Sequence, residues 1–354
     1  MADRLRLGVI FGGQSGEHEV SVVSAQSVIS AVSDRFDVVP LGVTKTGAWL
    51  SPEEAARQLA RDDEAYKKTL ELPEAEGLLA RPETLAALRE IDVAFPLIHG
   101  TFGEDGTLQG LLELAGVPYV GAGVASSAIG MDKALMKRLF AQAGLDVVDH
   151  IVVRAGRYRA DADEVRDAIE SSIGYPAFVK PANGGSSVGI TKVRSREDVG
   201  PALCLAFRYD RKVLVERAAE AREVECAVLG NDEPEPSPLG EIRYTGEFYD
   251  YEAKYLDPDT KLIIPAELPE ATARRIQELA VRGFQAIDCA GMGRMDFFLT
   301  EDDRVYIDEI NTLPGFTPTS MYPLLWQEAG LGYDELIARL VDLALERHQE
   351  RTRG

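Results

Sequence analysis

Apolar residues along this chain fall into two rhythms: short continuous runs, and runs spaced every three or four positions. Leu7-Gly8-Val9-Ile10-Phe11 is a continuous run and predicts a buried strand. Behind it Val20, Val23, Ser27, Val28 and Ala31 recur at helical spacing. Residues 36–43 and 91–98 read as strands, and 108–115 as a helix closed by Gly116. Strand, crossover helix, strand is the pattern of a parallel sheet, so the chain opens as an α/β fold. Between these elements 51–90 is acidic and helix-forming, with Pro73 and Pro82 as breakers, and reads as a surface elaboration.

From about Gly121 to Val215 the spacing predicts a helix over 132–143, a strand over 150–154, a helix over 161–173 and a strand over 177–180. A glycine-rich loop and a strand over 189–193 follow. From Glu216 onward strands dominate, at 224–229, 240–244, 292–299 and 304–310. Glu301-Asp302-Asp303 is a hairpin turn signal that makes the last two antiparallel neighbours. The proline-rich stretch 231–238 reads as a solvent loop, and helices close the chain over 333–347. The breaks suggest three parts: 1–121, 122–215 and 216–354.

The chain has 354 residues, enough for two or three domains and a sizeable core. Lys plus Arg is 38 against 59 Asp plus Glu, a formal net charge of -21. A general nucleic-acid binder needs a basic footprint, so that class is excluded, although a local basic pocket for one phosphorylated ligand is not. Cys204, Cys226 and Cys289 are far apart and form no Cys-x-x-Cys pair, so neither a disulfide framework nor a thiolate zinc site is indicated. They read as buried small hydrophobes in a reducing compartment. No run approaches the length of a membrane span, and Leu5 to Phe11 is too short for a signal-peptide core. The expected location is the cytoplasm.

Two constellations carry chemistry. Asn183-Gly-Gly-Ser-Ser-Val-Gly189 lies between two strands, where glycines turn backbone N–H groups inward and serines add donors. Such a loop suits phosphates, and Lys180 just before it and Lys133 at a helix start are candidate cations. It is not a P-loop, because the next element is a strand. The second constellation is Arg294, Asp296, Glu309 and Asn311. Positions i and i+2 share a strand face, so a hairpin brings both pairs together. Two carboxylates and an amide oxygen suit Mg²⁺. By the same parity Asp308 faces away and is excluded. His99 and the Gly12-Gly13-Gln14-Ser15-Gly16-Glu17-His18 run follow strands, at the ends where α/β folds place ligands. The four histidines show no zinc spacing.

Taken together the motifs resemble the D-alanine–D-alanine ligase family of the ATP-grasp superfamily, over nearly the whole chain. The runs that carry the resemblance are His99-Gly-Thr-Phe-Gly-Glu-Asp-Gly-Thr-Leu-Gln-Gly110, Gly185-Ser-Ser-Val-Gly189, Tyr249-Asp-Tyr-Glu-Ala-Lys-Tyr255, Arg294-Met-Asp296 and Glu309-Ile-Asn-Thr-Leu-Pro-Gly315. Met295 departs mildly, since the family usually has a smaller aliphatic residue there.

The resemblance implies a Rossmann-like N-terminal substrate domain followed by a two-part ATP-grasp (α+β) fold. It implies ATP-dependent joining of two D-alanines for peptidoglycan synthesis, with two Mg²⁺ per subunit, or Mn²⁺ in their place, and a homodimer. Lys133 and Lys180 would then meet ATP phosphates, under a loop carrying Ser186 and Ser187. Glu216, Arg217, Ala218 and Ala219 would form the adenine hinge and Glu223 would hold the ribose, with Lys254 on the nucleotide side. Asp296, Glu309 and Asn311 would hold the metals. Glu17 would take the ammonium of the first D-alanine, while His99, Arg294 and the Gly315 N–H address carboxylate oxygens. Ser320 and Met321 would place the second D-alanine. Tyr255 would close over the site toward Ser186 and Glu17, and 184–189 and 244–256 would act as lids. The nearest rivals are a D-alanine–D-lactate ligase or another ATP-grasp carboxylate–amine ligase. A non-catalytic nucleotide-binding regulator is disfavoured by the intact Asp296, Glu309 and Asn311 set.

Overall fold

β1 (Arg6–Gly12) is buried along nearly its whole length because it is the middle strand of a parallel sheet of order β2–β1–β3, with β2 at Asp37–Val43 and β3 at Val93–Pro96. A central parallel strand has both faces covered, which is why its sequence is a continuous apolar run. Leu7, Val9 and Phe11 pack in one core with Val22, Ala25 and Val28 of the helix His18–Val32. Ile10 belongs to the opposite core, with Leu41, Leu108 and Leu112. In the computed structural model that gives this arrangement, residues 4–61, 63, 71–72, 82–185, 187–244 and 260–352 are described.

The second sheet is antiparallel, in the order β4–β7–β5–β6: His150–Arg154, Lys212–Arg217, Ala177–Pro181 and Thr191–Val193. The helices Ala162–Ser172 and Arg196–Ala206 cover one face through Val165, Ile169, Val199 and Leu203. β7 carries this sheet to Arg217.

The third sheet, also antiparallel, has the order β10–β9–β8–β11–β12. Its strands are β8 Ala221–Gly230, β9 Glu235–Arg243, β10 Lys261–Ile263, β11 Gly291–Thr300 and β12 Val305–Asn311. The helix Glu270–Ala286 lays Ile276, Ala280 and Phe284 against it, with Met136 and Phe140 from the helix Lys133–Gln142. Met295 is wholly buried there beside Gly283, whose missing side chain leaves room for the longer residue.

Three expectations change. The 231–238 stretch is not a loop throughout, because β9 begins at Glu235 and contains Pro236 and Pro238. Among the described residues β10 pairs only with Glu241–Arg243, so the prolines lie where the outer edge needs no donor. Pro82 does not break a helix but opens one, Pro82–Glu90, since the first turn needs no N–H from it. Cys204 is exposed, whereas Cys226 and Cys289 are buried and burial pushes both thiols up to about 12. Among the described residues no helix is long and apolar enough to cross a membrane.

Candidate active site

Asp132 caps the helix Lys133–Gln142, accepting from the N–H groups of Ala134 (3.1 Å) and Leu135 (3.2 Å), and is itself paired with Lys212. The cap fixes where Lys133 starts. Its Nζ lies 2.8 Å from Glu309 Oε2 and donates to the Gly184 carbonyl at 3.2 Å. One turn on, fully buried Lys137 reaches 3.2 Å from Glu216 Oε1 and 3.1 Å from Asp308 Oδ1. Lys180, at the end of β5, is 2.7 Å from Glu216 Oε2 and 3.5 Å from Asp308. Burial disfavours these charges, yet the surrounding carboxylates hold the pKa values of Lys180 and Lys133 above the ordinary lysine range. Burial likewise opposes ionisation of Asp308, but Lys180, Lys137 and Lys133 overcome it and hold its carboxyl well below the usual range.

The expectation that Asp308 faces away is therefore corrected. Asp296 pairs with Glu309 and Phe297 with Ile307, which leaves Asp308 as the extra residue of a β-bulge. Strict alternation fails at a bulge, and Asp308 turns to the lysines on the same side as Glu309.

The predicted hairpin is present, with Arg294 opposite Asn311 and Asp296 opposite Glu309. On the other side of β11, Asp296 registers with Glu225 of β8. Arg294 forks onto Asp296, with Nε to Oδ1 at 2.8 Å and Nη2 to Oδ2 at 2.7 Å, and its Nε is 3.0 Å from Glu225 Oε2. Burial opposes the charge, but Asp296, Glu225 and Glu309 raise the Arg294 pKa further. Asn311 Oδ1 accepts from the Leu313 N–H at 3.2 Å.

These groups lie where two cavities meet. The larger, about 590 Å³, is lined by Glu17, His99, Glu104, Asn311, Gly315, Ser320 and Met321. The smaller, about 140 Å³, is lined by Lys180, Ser187, Glu216, Arg217, Ala219, Glu223, Asp296 and Asp308. Lys133, Gly184, Gly185, Glu225, Arg294 and Glu309 face both.

In the larger cavity His99 Nδ1 donates to the Leu313 carbonyl at 3.1 Å and lies 3.6 Å from Glu104 Oε1. Its buried Nε2 has no hydrogen-bond partner among the described residues. Burial alone would discharge the ring, but Glu104 and Glu17 raise the His99 pKa above its ordinary value. Glu104 accepts from the Gly100 N–H at 3.0 Å, and burial raises its own carboxyl. Ser320 Oγ accepts from the Thr317 N–H at 3.1 Å and lies beside Gly315, where an added Cβ would come within 3.2 Å of it. In the smaller cavity Glu223 accepts from the Tyr244 hydroxyl at 2.7 Å. Ser187 holds a left-handed conformation, φ +57.

Nearly every sequence-predicted residue that is described reaches one cavity or both. Ala218 lines neither, and its N–H donates to the Pro176 carbonyl at 3.0 Å. The Glu216 side chain is turned onto Lys137 and Lys180. Ser186, Lys254 and Tyr255 lie outside the described residues, as does most of 244–256. Sequence reasoning missed Lys137, Glu225, Glu104 and Asp308. Lys137 had a signal in its four-residue spacing from Lys133, and Glu225 in its two-residue spacing from Glu223.

Among the described residues no three Asp, Glu, His or Cys side chains converge as a ready metal cage. Asp296 and Glu309 face each other across the hairpin beside Asn311. Mg²⁺ keeps waters and uses one or two carboxylates plus phosphates, so this donor set fits a metal bound together with a phosphorylated ligand.

The comparisons agree over almost the whole length. The family model for the D-ala D-ala ligase N-terminus matches residues 6–122, and that for the D-ala D-ala ligase C-terminus matches 139–342. The D-alanine–D-alanine ligase of Geobacillus kaustophilus is 49% identical, over 98% of this chain and 96% of the relative. The D-alanine–D-alanine ligase A of Chromobacterium violaceum is also 49% identical, over 97% and 96%. Among solved structures, the D-alanine–D-alanine ligase of Coxiella burnetii superposes with a TM-score of 0.82 at 35% identity, covering 99% of this chain and 98% of that one. The VanG D-Ala:D-Ser ligase of Enterococcus faecalis gives 0.81 at 34%, covering 97% and 100%. Matched in both halves and over nearly its full length, this chain belongs to the D-alanine–D-alanine ligase family.

Proposed function

We propose that this protein joins two D-alanines in an ATP-dependent reaction that releases ADP and phosphate and supplies D-alanyl-D-alanine for peptidoglycan. The observation that carries the reading is the junction of the two cavities at Lys133, Arg294 and Glu309. A nucleotide in the smaller cavity points its phosphates at an acceptor in the larger one. The division of labour follows the three parts of the chain: 1–121 as a Rossmann-like substrate domain, 122–215 and 216–354 as the ATP-grasp. The protein works as a homodimer in the cytoplasm.

A carboxylate is a poor electrophile and must be activated. The carboxylate of the first D-alanine attacks the γ-phosphorus, and ADP leaves from an acyl phosphate. Lys133 and Lys180 neutralise phosphate charge beneath the loop that carries Ser186 and Ser187. Arg217, Ala219 and Glu223, which line the smaller cavity, hold the nucleoside end with Lys254, and Glu216 anchors Lys180 beside them. Asp296, Glu309 and Asn311 would hold Mg²⁺, which would draw charge from the transferring phosphoryl group. Glu17 holds the ammonium of the first D-alanine, and His99 offers its Nε2 to the carboxylate. The second D-alanine, placed by Ser320 and Met321, loses a proton and attacks the acyl carbon as an amine. Arg294 and the Gly315 N–H stabilise the oxyanion, and expulsion of phosphate leaves the peptide bond. Tyr255 completes the enclosure that keeps water from the acyl phosphate.

The test is a screen of amino and hydroxy acids for ATP-dependent condensation, resolving products by mass. D-alanine alone is expected to give the dipeptide, and D-serine or D-lactate added beside it little mixed product near neutral pH. Predominant D-alanyl-D-lactate or D-alanyl-D-serine would assign the second site to another nucleophile.

A further inference from the structure

Glu225, Asp296 and Glu309 stand abreast on three adjacent strands, because Asp296 registers with Glu225 on β8 and with Glu309 on β12. Arg294, two residues from Asp296 on the same face, has committed both oxygens of that carboxylate to its fork. This conflicts with metal binding. Each Asp296 oxygen already has one lone pair engaged by Arg294, so a divalent cation must share the carboxylate with the guanidinium, and the two cations repel. Metal on Asp296 therefore competes with the fork and draws the carboxylate off Arg294. Arg294 is largely buried, and a buried charge stripped of its partner is strongly unfavourable.

Glu225 resolves the conflict. Its buried carboxylate already lies 3.0 Å from Arg294 Nε, and it stands on the side of Asp296 away from Glu309. We propose that Glu225 is a positioning residue that keeps hold of the Arg294 guanidinium when Asp296 turns to the metal. The proposal rests on the reading of Asp296 as a metal ligand. In it, Glu225 does not ligate the metal. It neutralises Arg294, which lines the larger cavity where a substrate carboxylate or an oxyanion is met.

The experiment is a double-mutant cycle on Mn²⁺ binding, read by electron paramagnetic resonance with ADP present and D-alanine absent. Glu225→Gln keeps size and shape but strands Arg294 once Asp296 leaves it. It is expected to weaken Mn²⁺ binding by about tenfold or more, with ADP binding in chelator unchanged within about twofold. Arg294→Met removes the charge that needs a partner, so Mn²⁺ should bind at least as well as to the wild type. Glu225→Gln added to Arg294→Met should then cost nothing further. Unchanged Mn²⁺ affinity in Glu225→Gln would overturn the proposal. An equal loss on both backgrounds would overturn it too, because Glu225 would then act on the metal directly. Wild-type protein that binds no Mn²⁺ with ADP would sink the metal assignment beneath it, and that outcome is read before any variant. A crystal structure with ADP and Mg²⁺ gives an independent check. The Arg294–Glu225 contact should persist with the Arg294–Asp296 fork opened, and an intact fork on a metal-bound Asp296 would contradict the proposal.

Discussion

Glu309 is the residue on which most of the site converges. It meets Lys133 at 2.8 Å, faces Asp296 across the hairpin and lines both cavities. Glu309→Gln keeps the shape and removes the charge, so the fold should persist while turnover falls by about 10²-fold or more at saturating Mg²⁺ and ATP. Steady-state kinetics beside a thermal melt separate the two, and near-normal turnover would sink the metal assignment. Lys137 lines neither of the two cavities but shares Glu216 and Asp308 with Lys180. Lys137→Met leaves Lys180 to balance both carboxylates and draws it from the phosphates. KM for ATP should rise about tenfold with a smaller fall in kcat, and Lys137→Arg should recover part of the loss. Equal KM values would show that the pairing is only structural. His99 gives the pH dependence. Its pKa is raised, so the imidazolium persists above the ordinary range and is lost as pH rises through the raised value. KM for D-alanine should therefore climb on the alkaline side, and His99→Gln should abolish that limb. A KM that rises instead toward acid would contradict a cationic donor.

Most of the elements that build the site were legible because their sequences obey one period. β1, the helix His18–Val32, and the β11–β12 hairpin sit where the apolar spacing put them. The failures have local causes. Asp308 was lost because parity assumes an unbroken ladder, and nothing in the Ile307-Asp308-Glu309 run announces a bulge. The second half of β9 matches the strand expected at 240–244, whereas its start, Glu235–Pro238, reads as loop because Pro236 and Pro238 exclude a central strand, and only the shortness of β10 makes that edge tolerant. The helix Glu270–Ala286 was overlooked although Ile276, Ala280, Gly283 and Phe284 keep its period. Lys137 escaped because a single lysine reads as solvated, and its burial depends on carboxylates from β7 and β12. Gly12 shows how tightly an element end controls the site. It has φ +90, and an added Cβ would stand 2.1 Å from the Val43 carbonyl oxygen, in the turn that leads to Glu17. Gly12→Ala should destabilise the fold by about 2–3 kcal/mol in urea unfolding. A change within about 0.5 kcal/mol would mean that the turn relaxes freely.

At the scale of the whole molecule, no one sheet makes the site. The parallel sheet and its following loops give Glu17 and His99, the four-stranded sheet gives Lys180 and the glycine loop, and the five-stranded sheet gives Arg294, Asp296 and Glu309. Binding of ATP and D-alanine should therefore order the chain between them. In the loop 184–189, Gly184 and Gly185 line both cavities, and the backbone is left-handed at Ser187 and Gly189. Peptides spanning it should gain protection from hydrogen exchange when both ligands are present. Unchanged exchange would refute its role as a lid.

The central claim is that a D-alanine carboxylate is activated by phosphoryl transfer before the peptide bond forms, and isotope transfer tests it most directly. D-alanine labelled with heavy oxygen at its carboxylate is incubated with ATP, Mg²⁺ and the wild-type protein, and the released phosphate and the product are weighed. The attacking oxygen stays with the phosphorus when the amine displaces the phosphate. The account predicts one heavy oxygen in each released phosphate, one in the new amide carbonyl, and ADP in step with dipeptide. Phosphate without label, or ATP consumed without D-alanyl-D-alanine, would contradict it.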